Sequence, residues 1–196
     1  IACGHCVMVC PSGAKKVRND IDKVKTLIKA QKKVYVSLAP SWAGIYDLTP
    51  DKMIATLKRL GFYAVSETAL GAQDVSIKCA EILNNAENGL YISSACPVIV
   101  DYIKLYKPEL AKNIVNVASP ALTHAKMLKE KYGNDISVVF IGPCIGKKNE
   151  ADNNPEYIDV SLTFEELNFW INDEFVNINE LEVKESDKFI PEDAYE

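Results

Sequence analysis

Apolar and polar positions along the chain follow two periods, which together predict short strands alternating with amphipathic helices. Runs of four to six apolar and β-branched residues between turn residues predict buried strands. These runs cover residues 34–38, 62–65, 90–93, 136–141 and 157–162. Apolar residues recurring three and four positions apart predict helices. Those segments cover residues 21–29, 50–60, 73–85, 97–105, 120–128 and 164–171.

Residues at the predicted helix starts support these boundaries. Asp20 is expected to cap the first helix, and Thr49 caps the second, with Pro50 at its first helical position. Thr163 introduces the last helix. From Asp173 onward, acidic residues are frequent and periodic apolar residues are few, so an irregular tail is predicted.

The alternation of strands and helices predicts the α/β class, with a mostly parallel sheet and helices on both faces. Ligands of such sheets bind in the crevice outside the carboxyl ends of the strands. The turns at residues 39–41, 94–97 and 142–144 each follow a predicted strand, so Cys96 and Cys144 fall at this edge. Their positions are compatible with a two-cysteine metal site, and lone structural thiols are the alternative.

Composition narrows the class of protein. The chain has 196 residues, a formal net charge of −5 and 48% hydrophobic residues, which excludes a disordered or collagen-like chain and a disulfide scaffold. The acidic balance and the absence of a basic cluster argue against nucleic-acid binding. There is no run of about 18 apolar residues to span a membrane. With Ile1 first and no signal peptide, we expect a piece of a longer, cytoplasmic protein.

Three of the six cysteines lie within the first ten residues. Cys3, Cys6, Cys10 and Pro11 have the spacing C-x2-C-x3-C-P, the later part of the run that ligates 4Fe-4S clusters in bacterial ferredoxins. Short spacers let successive thiolates converge on one cluster. One cysteine before Ile1 and a matching second half are missing, so this chain alone does not complete a ferredoxin-like domain.

At this point the residues resemble the [FeFe]-hydrogenases, a family of anaerobes. The segment from Ser93 to Pro97 (S-S-A-C-P) resembles the first signature of that family, T-S-C-C-P. The segment from Gly142 to Glu150 resembles the second, M-P-C-x-x-K-x-x-E. Ala39, Pro40 and Ser41 are similar to a turn of the family's cofactor pocket. The third signature, E-x-x-x-C-x-x-G-C-x-x-G, is absent from these 196 residues.

The resemblance implies an H-cluster, a cubane joined to a two-iron unit, in the parent protein. Cys96 and Cys144 match two of the four cubane ligands, and Lys147 matches the lysine that donates to a cyanide. Pro40 and Ser41 match pocket donors, and Glu150 matches a supporting glutamate. Without Cys144 nearby, Lys147 and Glu150 would be read as a solvated ion pair three residues apart.

Departures from the family pattern predict a slow enzyme or a sensor. Ala95 stands at the position of the proton-carrying cysteine, and Gly142 at that of a methionine. Lys78, Cys79 and Ala80 occupy the stretch where catalytic members carry carboxylates. Each missing relay group removes roughly 10²–10⁴-fold of acid–base catalysis. The alanine is similar to the sensory branch of the family, which is associated with signalling partners.

The resulting hypothesis has three segments: residues 1–18 end a ferredoxin-like motif, residues 19–175 form part of the hydrogenase-like α/β domain, and residues 176–196 form an acidic, irregular tail. The parent is expected to act on H2 and protons with a ferredoxin-type electron partner or a signalling domain. The alternative is an electron-transfer, cluster-assembly or redox-sensor protein without the two-iron unit. A third reading is a plain α/β domain with incidental cysteines.

For the chain alone, we expect no bound cluster and no hydrogenase activity, because every cluster site is incomplete. Cys79 lies on an apolar helical face and is expected in the core. His5 is expected to be a spacer within the cysteine motif, and His124 an exposed or hydrogen-bonded helix residue.

Overall fold

A parallel four-stranded sheet forms the centre of the computed structural model, which describes residues 1–30, 32–86 and 88–191. Its strands are β1 (Val34–Leu38), β2 (Ala64–Glu67), β3 (Ser137–Gly142) and β4 (Val160–Thr163), in the order β2-β1-β3-β4. All three pairings are parallel. The predicted α/β class with a parallel sheet is therefore confirmed.

Helices connect and cover these strands. They are α1 (His5–Met8), α2 (Ile21–Lys29), α3 (Pro50–Arg59), α4 (Ala69–Asn84), α5 (Pro97–Tyr106), α6 (Pro120–Tyr132), α7 (Gly146–Asn153) and α8 (Phe164–Asp173). Short 3-10 turns occupy Pro40–Gly44, Pro108–Asn113 and Ile178–Glu180.

The core lies on both faces of the sheet. Every residue of β1, β3 and β4 is buried. Because successive side chains of a strand point to opposite faces, complete burial requires cover on both sides. Helix α6 packs over β1 and β3 and carries α4 on its outer side, whereas α8 packs over β3 and β4 and α2 packs over β4. The continuous apolar runs of the sequence are therefore strands that are covered on both faces.

The strand order creates a switch point at the carboxyl edge of the sheet. From β1 the chain moves to β2 on one side, and β3 then lies on the other side of β1. In open parallel sheets, ligands bind outside the carboxyl ends of the strands at such a switch point, which here lies between the turns that leave β1 and β3. Pro40 and Ser41 follow β1, and Cys144 follows β3.

Several local predictions are wrong. The strand predicted over residues 157–162 begins at Val160, and the Thr49 side chain makes no capping hydrogen bond. The second strand begins at Ala64 rather than at Phe62. Residues 90–93 form only an isolated bridge, Ile92 with Ile114, and the first two residues of this apolar run are exposed, Leu90 at 54% and Tyr91 at 40%. Asp20 precedes α2 but makes no capping hydrogen bond; its carboxylate is engaged in buried ion pairs instead.

The described part of the tail after α8, residues 174–191, is largely irregular and packs on the domain. Val176, Ile178, Phe189 and Ile190 are partly buried against the core. The Ile190 N–H donates to the Val65 carbonyl at 2.9 Å, and Lys58 pairs with Asp187 at 2.9 Å. These contacts extend the cover of β2. The assignment of residues 176–196 to a separate segment stays a prediction.

Candidate functional site

The turns leaving β1 and β3 are in close contact at the carboxyl edge. The Ala39 N–H donates to the Ile141 carbonyl at 2.8 Å, so the two strands stay paired until their turns begin. A Cβ on Gly142 would lie 2.9 Å from the Ala39 Cβ and 2.7 Å from the Phe140 ring. The resemblance places a methionine at the position of Gly142. In this chain a side chain at that position is excluded, because the two strands approach too closely.

Cys96 and Cys144 each lie just before a helix. Cys96 is the residue preceding α5, and Cys144 precedes α7 by two residues. Helix N-termini favour negative charge, which suits thiolate ligands. A Cβ on Gly146 would lie 2.6 Å from Val98 Cγ2 of α5 and 3.4 Å from Cys144 Sγ. Glycine at this position therefore lets the start of α5 approach the Cys144 turn.

Lys147 belongs to a buried triad. Its Nζ donates to Glu150 Oε2 at 2.7 Å and to Ser119 Oγ at 2.9 Å, and the Ser119 hydroxyl donates to the same glutamate oxygen at 2.8 Å. The Lys147 and Glu150 side chains are only 11% and 10% exposed. This excludes a solvated surface pair. An ammonium has three N–H groups, so one remains to donate elsewhere.

The adjacent residue, Lys148, belongs to a second buried cluster. Its Nζ lies 2.9 Å from Asp20 Oδ2 and 2.8 Å from Glu166 Oε2. Burial raises the pKa of Asp20, but hydrogen bonds from Lys23, Lys148 and Arg18 outweigh it and hold that pKa at about 2. Arg18 also binds Asp152 of α7 with both terminal nitrogens, at 2.7 and 3.0 Å. The segment before α2 is therefore tied to α7.

The remaining positions expected at the site lie around these turns. Pro40 and Ser41 begin the exposed 3-10 turn after β1. Ala95 is half-buried, and its N–H donates to Ser93 Oγ at 3.3 Å. Among the described residues, no group of three or more histidines, cysteines or carboxylates is placed to hold a metal ion. Cys96 follows no strand among the described residues, since residues 90–93 form only a bridge, and its assignment with Cys144 as a cluster ligand stays a prediction.

The N-terminal cysteine segment packs against the same edge. A Cβ on Gly146 would lie 3.5 Å from the Ala2 carbonyl oxygen, and one on Gly4 would lie 3.1 Å from the Ile145 side chain. Cys3 and Cys6 are exposed, and Cys10 is half-buried. A hydrogen bond from Ser12, with backbone N–H groups, lowers the pKa of Cys10 to about 7. This favours the thiolate, the form that ligates iron.

Of two expectations about other residues, that for Cys79 is wrong and one of the alternatives for His124 is confirmed. Cys79 is half-exposed and lies outside the core, because the carboxyl-terminal half of α4 extends past its cover; Ile77 and Leu83 there are also exposed. His124 is 1% exposed, with Ser37 on Nδ1 at 2.7 Å and Ser66 on Nε2 at 2.9 Å. Burial lowers its pKa to about 4. Of the two alternatives, exposed or hydrogen-bonded, the structure therefore confirms that His124 is a hydrogen-bonded helix residue.

Sequence reasoning missed Ser119 and the Lys148 cluster. Ser119 precedes Pro120 and accepts from the Leu122 N–H at 3.3 Å, a helix start that the Ser-Pro pair could have indicated. Asp20, Lys148 and Glu166 are far apart in the sequence, and only the fold unites them.

Comparison with known proteins identifies the class to which this fold and site belong. A sequence model of the family described as "Iron only hydrogenase large subunit, C-terminal domain" matches residues 32–195. This chain belongs to that family. It is 28% identical over 200 residues to the NADP-reducing hydrogenase subunit HndD of Solidesulfovibrio fructosivorans, covering 84% of this chain and 34% of that protein.

Solved structures agree with this assignment. A variant of [FeFe]-hydrogenase HydA1 from Chlamydomonas reinhardtii matches with a TM-score of 0.65 and 25% identity, over 82% of this chain and 49% of that one. The structure of HydA(deltaEFG), which concerns stepwise [FeFe]-hydrogenase H-cluster assembly, matches in fold with a TM-score of 0.68 and 24% identity. The match covers 85% of this chain and 49% of that one. The chain thus spans about half of these hydrogenases. No helix in its described part is both long and apolar enough to cross a membrane.

Proposed function

We propose that this chain is one lobe of an H-cluster domain, and that its parent is a slow or hydrogen-sensing hydrogenase with a role in redox signalling. The observation that carries the proposal is the buried contact of Lys147, three residues after Cys144, with Ser119 and Glu150. A buried ammonium with one donor left is suited to an anionic ligand such as cyanide.

The residues present fit part of the H-cluster. Cys96 and Cys144 would be two of the four cubane ligands, each at a helix N-terminus. Pro40 and Ser41 would line the pocket from the turn after β1, while Glu150 and Ser119 would orient Lys147. When bound, the cluster supplies the redox-active iron on which hydrogen chemistry depends. The other two thiolates would come from sequence outside this chain, so we expect the chain alone to bind no intact cluster and to be inactive.

A slow or sensory role is supported by Ala95. A methyl group carries no ionisable proton, so the direct acid–base contribution of a cysteine is lost at this position, worth roughly 10²–10⁴-fold in rate. A sensor needs hydrogen to change its redox state but does not need fast turnover. We propose a ferredoxin-type electron partner or a signalling domain as the recipient of electrons. All six cysteines are free thiols, in keeping with a cytoplasmic protein.

The test uses the full-length parent, matured with its two-iron cofactor under anaerobic conditions. Infrared bands of bound CO and cyanide are expected, and Cys96→Ser and Cys144→Ser should each lower the iron content. Cys79→Ser is the matched control, because that half-exposed thiol lies outside the site, and it should retain the full iron content. Absence of the bands after competent maturation would overturn the proposal.

The same experiment separates the alternative, an electron-transfer, cluster-assembly or redox-sensor protein without the two-iron unit. Ala95 is equally compatible with that role, since such a protein moves no protons to a metal. It predicts iron and sulfide bound through Cys96 and Cys144, with no CO or cyanide bands. A plain α/β domain predicts that both serine variants retain the iron content of the parent.

A further inference from the structure

Helix α5 carries an apolar face that is open to solvent. Its residues, Pro97–Tyr106, include two charged side chains, Asp101 and Lys104, and the others are apolar or aromatic. A helix that is apolar on nearly all sides is normally buried. In α5, however, Ile103 is the one buried residue, at 7% exposure. The helix therefore lacks cover that its sequence predicts.

Four side chains make up the exposed surface, which we call the α5 face. Ile99, Tyr102, Leu105 and Tyr106 are between 42% and 64% exposed. Three of them, at positions 99, 102 and 106, are three and four residues apart and so lie on one side of the helix. The rings of Tyr102 and Tyr106 lie next to each other, with their centroids 5.3 Å apart. Apolar and aromatic side chains grouped in this way are typical of a contact surface.

The segment that contains α5 lies outside the core of the domain. Among the described residues from 67 to 119, none belongs to the cluster of buried apolar residues that surrounds the sheet. Leu90 and Tyr91, just before α5, are exposed as well. Helix α5 itself packs against the 3-10 turn at Pro108–Asn113 and against α7. These contacts leave the α5 face uncovered.

The position of Cys96 indicates what covers this face. Cys96 directly precedes α5 and is exposed, and Ile99 follows about 4.5 Å further along the helix axis. Under the proposed function, on which this inference rests, two further cubane thiolates come from sequence outside this chain. The segment that carries them has to approach Cys96, so it lies beside the first turn of α5. Such sequence exists in the matched algal hydrogenase, since the match covers 49% of that chain.

We propose that the α5 face is the surface on which the other half of the hydrogenase domain packs, within the same polypeptide of the parent. The segment that approaches Cys96 continues along α5 and buries Tyr102 and Tyr106. The apolar contact along α5 thereby holds the incoming thiolates beside Cys96. The α5 face is exposed in these 196 residues because its partner segment lies outside them.

The first test identifies the occupant by photo-crosslinking. The full-length parent, prepared without the two-iron cofactor, carries p-benzoylphenylalanine in place of Tyr106. After irradiation and digestion, the expected adduct joins position 106 to a peptide of the same polypeptide outside residues 1–196. The control carries the crosslinker in place of Tyr63, which is 53% exposed at the amino edge of the sheet, and should not capture that peptide. An adduct of twice the parent mass, an adduct confined to residues 1–196 or no adduct would overturn the proposal.

The second test compares this chain with the parent by hydroxyl-radical labelling. Labelling of Tyr102 and Tyr106 should fall about fivefold or more in the parent, because residues at the centre of an interface become buried. Labelling of Tyr63 should be equal in both. Equal labelling of Tyr102 and Tyr106 in the two proteins would overturn the proposal.

Neither measurement needs a bound cluster, so this proposal and the proposed function can fail separately. Protection of the α5 face in a parent that never shows CO and cyanide bands would support the packing and overturn the proposed function. Bands in a parent whose α5 face stays labelled would support the proposed function and overturn the packing.

Discussion

The Lys148 ammonium lies 2.9 Å from the Asp20 carboxylate, across 128 residues of sequence. This contact joins the helix that follows Cys144 to the segment that follows the N-terminal cysteines. Glu166 accepts from the same ammonium, and its backbone and side chain also complete the capping box at the start of α8 with Thr163. Three parts of the chain therefore meet at one buried cation.

Removal of that cation should destabilise the domain strongly. Lys148→Met keeps most of the side-chain volume but leaves two buried carboxylates facing each other, so we expect a loss of about 3 kcal/mol in the free energy of unfolding. Lys78→Met is the control, because its exposed pair with Asp74 on α4 should contribute far less to stability. Urea denaturation measures both. Equal losses in the two variants would contradict the interpretation.

Stability should fall as the pH is lowered through the range set by His124. The folded pKa is about 4 against an ordinary value of 6.5, so the unfolded chain binds more protons between these values and stability rises with pH there. The difference corresponds to about 3 kcal/mol once the pH is well below 4. Denaturation from pH 7 to pH 4.5 should reveal part of this loss.

Two histidine variants assign that pH dependence. In His124→Gln the loss between pH 7 and pH 4.5 should largely disappear, whereas His5→Gln, which changes an exposed ring, should retain it. Asp20 contributes only at lower pH. Its folded pKa of about 2 lies below the ordinary value of 3.8. Its contribution to folding stability is therefore complete above pH 3.8 and is lost as the pH falls toward 2.

Gly146→Ala should disturb the approach of α5 to the Cys144 turn. The new methyl group would lie 2.6 Å from Val98 Cγ2, and we expect a loss of about 1–3 kcal/mol. Val98→Ala removes the opposing methyl groups, so the loss caused by Gly146→Ala should be smaller in that background. Gly44→Ala, at a glycine with open space around it, is the control. Thermal unfolding of the four variants tests the coupling.

Ser119→Ala should weaken both a helix start and the Lys147 triad. The hydroxyl accepts from the Leu122 N–H and from Lys147, and it donates to Glu150, so its loss should cost about 1–2 kcal/mol. Ser119→Thr keeps the hydroxyl and should recover most of this. In the matured parent, the alanine variant should also shift the cyanide infrared bands. Unshifted bands would indicate that Ser119 acts on stability alone.

Local sequence patterns predicted the strands that the helices bury completely. Residues 34–38 and 136–141 were recognised because a strand covered on both faces is apolar throughout. The same signal wrongly predicted a strand at residues 90–93, where an apolar run lies near the surface. The three-residue spacing of Lys147 and Glu150 also indicated that they lie close together, since both are on one short helix. The partners of Lys148 could not be found this way, because charged pairs formed by distant segments leave no periodic pattern.

Helix α7 illustrates how a polar segment can be held in register. Consecutive residues of an α-helix project about 100° apart, so Lys147 and Lys148 point to different neighbours. One ammonium is engaged by Ser119 at the start of α6, and the other by Asp20 and Glu166 on a different side of the helix. Inserting or deleting one residue between Cys144 and Lys147 would rotate both lysines out of their partners at once. Two separate ion-pair clusters thus orient a helix that has little apolar surface of its own, and together they fix the rotation of α7 about its axis relative to Cys144.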